Sequence, residues 1–254
     1  IESRLPDYNA PAIKIDSVSF KTYAPKSGDE KTFKYVLNDK NVITGIKISD
    51  SVKEIKLSNN KFVVKSSDTT EYITIDSYGK QQNLSFMDFG VYKSETYDDA
   101  SNTLNQSSQS VYFGGYDSRE IAANRITENK DFKGTAAVSV QNTDTKTGFF
   151  ATADASLRFN AENKTADINI TGIENWYDVA ATATASGAIN SVTLSGDATG
   201  DFAISTPGDI PTTGSFVKYY GQGSSPTEAG GVINFTQDNV SFNSAFGGRA
   251  APAN

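Results

Sequence analysis

Short runs of alternating apolar and polar residues, separated by turns rich in Gly, Asn and Asp, occupy the C-terminal end of the chain. Residues 214–221, 230–235 and 240–248 are three successive examples. A period of two is typical of β-strands, whose side chains point alternately to the two sides of a sheet. The three runs therefore predict the last strands of a sheet or barrel, which could not close without them. The pattern indicates an all-β structure.

The same pattern continues through the C-terminal half and predicts eight strands joined mostly by hairpins. They are residues 134–141, 147–160, 165–171, 189–194, 202–204, 216–220, 232–236 and 240–246. Closing such a meander on itself removes its exposed strand edges. The predicted C-terminal domain, residues 127–254, is therefore an eight-stranded antiparallel β-barrel.

The N-terminal half shows shorter strands with one apolar face, for example Ile46 with Ile48 and Ile55 with Leu57. One apolar and one charged face are typical of an antiparallel sheet with one side in water. We therefore predict an N-terminal antiparallel β-sheet handle domain over residues 13–126, preceded by a flexible leader over residues 1–12. The polar stretch 94–110 is either a long surface loop or a shaped binding loop.

The composition removes whole classes of chemistry. The chain has no His and no Cys, which excludes Ser-His-Asp catalysis, imidazole ligation of metals and thiolate sites. The net charge is −7 and no basic cluster is visible, so nucleic acid is not an expected partner. A glycosidase with two carboxylates is the main enzyme class left, but no acidic pair lies among aromatic residues. We expect a non-catalytic protein without a cofactor.

Several segments, over about residues 113–254, resemble the β-barrel of the transferrin-binding-protein-B family of bacterial surface lipoproteins. They are Tyr116 with the glycines before it, Phe132-Lys-Gly134, Gly214-Ser-Phe-Val-Lys-Tyr-Tyr-Gly221, Glu228-Ala-Gly-Gly-Val-Ile-Asn-Phe235 and Ala245-Phe-Gly-Gly-Arg249. Within this family, the closest resemblance is to the nematode colonisation lipoprotein.

The resemblance implies a lipid-anchored protein on the surface of the bacterial outer membrane, exported by a translocon that recognises the barrel. Family members are anchored through an N-terminal Cys, which this chain lacks, so membrane contact is expected only through an anchor absent from it. The implied function is host association or colonisation by binding a host protein or glycan. The alternative is a carrier of haem or another small ligand, in which Tyr would replace His as the iron ligand.

Four aromatic residues are candidates for partner binding. Trp176 and Tyr177 lie in the segment Glu174-Asn-Trp-Tyr-Asp178, and exposed Trp and Tyr are frequent anchors at interfaces. The alternative is that Trp176 closes the end of the barrel. Tyr97 and Tyr116 flank the polar stretch and either line a pocket between the handle and the barrel or are ordinary sheet aromatics. Tyr219 and Tyr220 are adjacent in a predicted strand, so their side chains should point to opposite faces.

Overall fold

The computed structural model describes residues 17–25, 28–51 and 53–252. These residues form sixteen β-strands in two closed antiparallel barrels of eight strands each. The all-β prediction is confirmed. The predicted leader, residues 1–12, lies outside the described residues.

The first barrel, called the N barrel, is formed by the strands before residue 116. They are β1 (Phe20–Tyr23), β2 (Thr32–Leu37), β3 (Ile43–Ile48), β4 (Ile55–Ser58), β5 (Lys61–Lys65), β6 (Thr69–Ser77), β7 (Met87–Asp98) and β8 (Leu104–Gly115). A single 3₁₀ turn, Lys80–Gln82, lies among its described connections.

The second barrel, called the C barrel, follows two 3₁₀ turns at Asp117–Arg119 and Ala123–Arg125. Its strands are β9 (Lys130–Asn142), β10 (Gly148–Asn160), β11 (Thr165–Thr171), β12 (Asp178–Ala183), β13 (Ala188–Ser195), β14 (Ile210–Gln222), β15 (Ser225–Gln237) and β16 (Val240–Ala250).

The prediction of an open handle sheet is wrong, because β1 closes the N-terminal strands into a barrel. Lys21, Thr22 and Tyr23 pair with β8 on one side, and Phe20 and Lys21 pair with β2 on the other. The closure needs only these short ladders. Closure encloses the inward face of the strands around an aromatic core; in β2, for example, Phe33 and Tyr35 are buried whereas Thr32 and Lys34 are exposed.

The C barrel has the predicted number of strands, but one predicted strand is misplaced. Residues 200–202 form a 3₁₀ turn where the sequence pattern predicted a strand over residues 202–204. The missing strand is β12, Asp178–Ala183, whose alternating burial places Val179, Ala181 and Ala183 inside. Because alanine has low β-propensity, this strand has a weak sequence signal.

The two interiors differ in chemistry. The N barrel is filled by aromatic rings: Phe20 stacks on Phe33 with centroids 5.2 Å apart, and Tyr112 lies 5.4 Å from Phe33. The C barrel is filled mainly by small and aliphatic side chains. Its fully buried members include Ala136, Val138, Val140, Ile168, Ile170, Ala183 and Ile233.

The two barrels meet along a seam where glycines of the C barrel face side chains of the N barrel. Met87 lies directly over Gly230 and Gly247, and a Cβ at Gly247 would stand 2.9 Å from Cε1 of Phe89. On the other side of the seam, the Tyr220 ring occupies the space beside Gly115. Since any side chain at these positions would hold the barrels apart, the glycines permit the close approach.

We expect Gly247→Ala to lower the free energy of unfolding by about 1–3 kcal/mol, because the added methyl group overpacks Met87 and Phe89. Gly208→Ala is the matched control: a methyl group added there would meet no heavy atom within 4 Å, and the φ of Gly208 is not in the left-handed region. Urea unfolding of both variants checks this. Equal midpoints for the two would show that the seam does not depend on this close approach.

Candidate functional site

The end of the N barrel that carries the β7–β8 turn is the best candidate for a partner contact. Because consecutive strands run antiparallel, the described residues of the β1–β2, β3–β4 and β5–β6 connections lie at the same end as the β7–β8 turn. The connection 78–86 lies at the opposite end and contacts the C barrel, where Gln82 donates to Thr135. The β7–β8 end is therefore the free end of the N barrel.

Residues 94–110, predicted as a loop, belong mostly to strands. β7 runs to Asp98 and β8 begins at Leu104, so the hairpin turn is short. Leu104 is 51% exposed. In the described part of the chain, Val42, at 37%, is the other exposed large apolar side chain. The hairpin therefore presents polar strands and one exposed leucine to solvent.

Tyr97 lies on the outer face of this hairpin in a small aromatic group. Its ring packs edge-on against Tyr72 with centroids 5.9 Å apart, and Lys61 stands 5.4 Å from the Tyr72 centroid. The Tyr97 hydroxyl donates to Glu95 at 2.9 Å, which also pairs with Lys93 at 2.6 Å. The hydrogen bond to Glu95 raises the pKa of Tyr97, and the bonds from Lys93 and Tyr97 lower the pKa of Glu95.

The turn of the hairpin is fixed by its own hydrogen bonds. Asp98 accepts from the backbone N–H of Ser101 at 2.8 Å and from its hydroxyl at 2.7 Å. Asp99 accepts from the Thr70 hydroxyl at 2.6 Å, which ties the turn to β6. A surface that is already ordered loses less conformational entropy on binding. We call Tyr72, Tyr97, Leu104 and this turn the hairpin surface.

The other three predicted partner-binding residues lie away from the hairpin surface and are buried. Tyr116 is 4% exposed and packs with the N-barrel core, whereas Trp176 and Tyr177 are each 5% exposed in the C-barrel core. The structure therefore does not bring the four residues together. Of the four, Tyr97 has the most accessible position.

Trp176 and Tyr177 hold segment 202–204 against the C barrel. The indole Nε1–H of Trp176 donates to the Phe202 carbonyl at 2.9 Å, and the Tyr177 hydroxyl bonds both the N–H and the carbonyl of Ile204. The indole also stacks on Phe242 with centroids 5.3 Å apart. This arrangement matches the alternative in which Trp176 closes the barrel end.

The adjacent tyrosines of β14 point to different interiors. Tyr219 belongs to the C-barrel core and Tyr220 to the cluster that continues into the N barrel. Their hydroxyls therefore do not form one site. A groove of about 280 Å³ lies along the seam. It is lined by Tyr78, Phe150 and Thr152, among others, and not by Tyr219 or Tyr220.

Among the described residues, two carboxylates are buried, and internal donors surround both. Asp88 is fully buried and accepts from the hydroxyls of Ser77 and Tyr112, each at 2.8 Å, and from the N–H of Gly79 at 3.0 Å. Burial raises the pKa of Asp88 to about 7, although these hydrogen bonds lower it. The Asp88 carboxylate holds the start of the connection 78–86 through these hydrogen bonds and is shielded from solvent.

Glu228 joins the two barrels. It lies on β15, is 3% exposed, and accepts from the backbone N–H groups of Ser85 and Phe86, the latter at 2.9 Å. Burial raises the pKa of Glu228 to about 7. In the sequence this residue stands out only as part of a motif, because its partners are distant along the chain.

Within residues 17–25, 28–51 and 53–252, no group of three or more Asp or Glu side chains is placed to hold a metal ion. No helix in that part of the chain is long and apolar enough to cross a membrane.

Comparisons with known proteins give structural likenesses at low identity. No family model matches the sequence, and no curated protein has significant similarity to it. The structure is similar to an intact transferrin-binding protein B with N and C lobes, Ap-TbpB, at a TM-score of 0.49 and 14% identity over 90% of this chain and 53% of that one.

It is also similar to a transferrin-binding protein B variant from Haemophilus parasuis, at a TM-score of 0.47 and 15% identity over 95% of this chain and 46% of that one. The chain thus spans about half the length of both proteins. A third structure, a surface lipoprotein, matches at a TM-score of 0.45 and 12% identity, covering 94% of this chain and 100% of that one. At these values no partner or site residue transfers to this chain.

We expect the free energy of unfolding to fall as the pH rises from about 4 to about 7. The pKa of Asp88 in the folded chain, about 7, lies above its value in the unfolded chain. At a pH between these two pKa values, folding therefore takes up a proton. The stabilisation that the protonated carboxyl gives is complete below the unfolded pKa and is lost as the pH rises through the folded pKa. Asp88→Asn keeps the shape without the charge and should flatten this profile. Urea unfolding at pH 5 and pH 8 measures it.

The exposed Asp197→Asn variant is the control for the pH series and should keep the profile of the unmodified chain. Because Glu228 titrates in the same direction, Asp88→Asn should leave part of the slope. A profile of Asp88→Asn as steep as that of the control would contradict the assignment to Asp88.

We expect Trp176→Ala to lower the free energy of unfolding by about 3–5 kcal/mol, because it removes a buried ring and leaves a cavity. Tyr97→Ala, on the surface of the N barrel, should cost much less. Chemical denaturation of both variants checks this. A Trp176→Ala variant of normal stability that failed to bind a partner would place the contact at Trp176 instead.

Proposed function

We propose that this chain is a non-catalytic binding protein of the bacterial cell surface that binds a host protein or glycan at the hairpin surface of its N barrel. The observation that carries the proposal is the hairpin surface itself. It combines an exposed leucine, a Tyr72–Tyr97 pair and a turn held by Asp98 and Asp99. Ordered aromatic and apolar side chains of this kind are frequent anchors of protein interfaces.

The electrostatics favour binding over catalysis. In the described part of the chain, the two carboxylates with raised pKa values, Asp88 and Glu228, are buried and accept hydrogen bonds from the chain's own groups. A general acid or base must reach a substrate, and neither carboxylate faces a cleft. The other shifted carboxylates, Glu95, Asp98 and Asp238, have lowered pKa values and form local hydrogen bonds.

Localisation and biological role extend this proposal. The barrel motifs of the sequence resemble a family of lipid-anchored outer-membrane proteins, and we propose the same location, with export by a translocon that recognises the C barrel. The proposed role is host association of the colonisation-factor kind. Haem carriage, the alternative, gains no support from the N-barrel interior, because its aromatic rings are in mutual contact.

The test is a binding screen of the immobilised chain against a glycan array and a panel of purified serum proteins that includes transferrin. A haemin titration runs beside it. We expect one saturable protein or glycan partner and no shift of the Soret band. A Soret shift without any macromolecular partner would overturn the proposal in favour of the carrier.

For the partner found in the screen, we expect Tyr97→Ala and Leu104→Ala each to weaken binding about tenfold to a hundredfold, as for anchors at interfaces. Val42→Ala is the matched control, because Val42 is also exposed but lies in the β2–β3 connection at the opposite barrel end. Surface plasmon resonance measures the dissociation constants. Equal binding by all three variants would place the contact elsewhere.

A further inference from the structure

The first half of β8 is paired on one side only. Its residues from Leu104, the partner of Tyr97, to Ser110 pair with β7, whereas β1 pairs with β8 at Val111, Tyr112 and Phe113. Within the described residues no other strand pairs with residues 104–110 on the β1 side. Residues 104–108 are also exposed on both faces of the hairpin.

The sequence explains why β1 leaves β8 at this point. Continued pairing would place Pro25 opposite Gln109, and proline has no N–H to donate to a ladder. The chain turns towards β2 instead: the N–H of Thr22 donates to the Lys31 carbonyl at 2.7 Å, and the Lys31 N–H donates to the Thr22 hydroxyl at 2.8 Å. As far as the described residues go, the barrel wall thus opens beside residues 104–110.

This edge lacks the features with which proteins usually protect a free strand. Residues 102–116 contain no charged residue and no proline, although lysine, proline and inward charges are common protections. The ladder to β7 is regular from Ser110 back to Gln106, and its register shifts only near Tyr97. The edge therefore offers an extended row of backbone donors and acceptors of roughly 24 Å, at about 3.4 Å per residue.

We propose that this edge, residues 104–110, takes an extended segment of the partner protein as an added β-strand. The inference rests on the proposed function, since it names how a protein partner would be held. The segment fits best if it is uncharged and rich in β-branched residues, because the edge offers no ion-pair partner and has small side chains at Ser107 and Ser108. Two copies of this chain each carry a net charge of −7 and repel one another, which disfavours self-pairing.

The first measurement is residue-resolved amide hydrogen exchange of the full chain by NMR. In an antiparallel strand, alternate N–H groups point away from the single neighbour. We expect fast exchange at alternate amides of residues 104–110 and slow exchange at the others. Slow exchange at all of them, in a chain that stays monomeric on dilution, would overturn the proposal by showing that the chain itself covers the edge.

The second measurement adds a probe, the capped heptapeptide Thr-Val-Thr-Val-Thr-Val-Thr. We expect it at saturation to slow the fast amides at least tenfold. A twin peptide with alternate N-methyl groups on one edge keeps the side chains but loses those donors, and should give no protection. Equal protection by both peptides, or none by either, would overturn strand addition.

Ser107→Pro and Ser108→Pro form a matched pair, because only one of the two neighbouring N–H groups can face β7. The variant that loses the outward N–H should keep the fold and lose peptide protection, whereas its neighbour should disturb the hairpin. Loss of protection in neither variant would contradict the proposal. If the screen finds a partner but the peptide does not protect the edge, the proposed function stands and this inference alone is rejected. If the peptide protects the edge but the screen finds no partner, the proposed function is rejected and the edge remains a site that binds an extended strand.

Discussion

The close approach of two barrels at a glycine-lined seam is the constraint on which the rest of the structure depends. Gly230 and Gly247 leave room for Met87, and Gly115 leaves room for the Tyr220 ring. The same contact covers backbone N–H groups of the N barrel, which Glu228 then satisfies. Because a buried N–H without an acceptor is costly, the carboxylate and the glycines act together: the glycines allow the approach and the carboxylate accepts the hydrogen bonds that it buries.

This seam gives a physical meaning to the motifs that resemble the lipoprotein family. Glu228-Ala-Gly-Gly and Phe246-Gly-Gly lie where β15 and β16 face the N barrel, so their residues are set by docking between domains. Function on this fold must come from elsewhere, on surfaces that docking leaves free. The β7–β8 end is such a surface, since the C barrel contacts the opposite end.

Sequence patterns predicted what local alternation controls and missed what distant pairing controls. Most C-barrel strands were predictable because large apolar residues such as Phe159 and Ile168 alternate with polar ones. β12 was missed because its inward residues are mostly alanine. The N barrel was predicted as an open sheet because its closure depends on β1 and β8, which are distant in sequence. Residues 104–110 were predicted as a loop because they are rich in Ser, Asn and Gln. They form a strand through their pairing with β7, which the local sequence does not indicate.

Site residues divide in the same way. Tyr97 and Tyr116 were both predicted because they flank the polar stretch, but Tyr97 is partly exposed whereas Tyr116 is buried in the N-barrel core. Burial of Trp176 at the barrel end was one of its two interpretations, but its neighbours in sequence could not decide between them, because Phe242 and Phe235, which cover it, belong to distant strands. The burial of Asp88 and Glu228 carried no local signal, although Glu228 belongs to a motif of the family resemblance, because most of their donors come from other strands and loops.

The unequal closures of the two barrels also bear on how the chain folds. The C barrel closes through a long ladder between β9 and β16, whereas the described residues of β1 and β8 close the N barrel through three pairs. Each closure joins segments roughly 90 or more residues apart, and the entropy lost in forming such a loop must be offset by the contacts made. A short ladder offsets less of it. We therefore expect the closure at β1 to be the weaker of the two and the natural starting point of local unfolding.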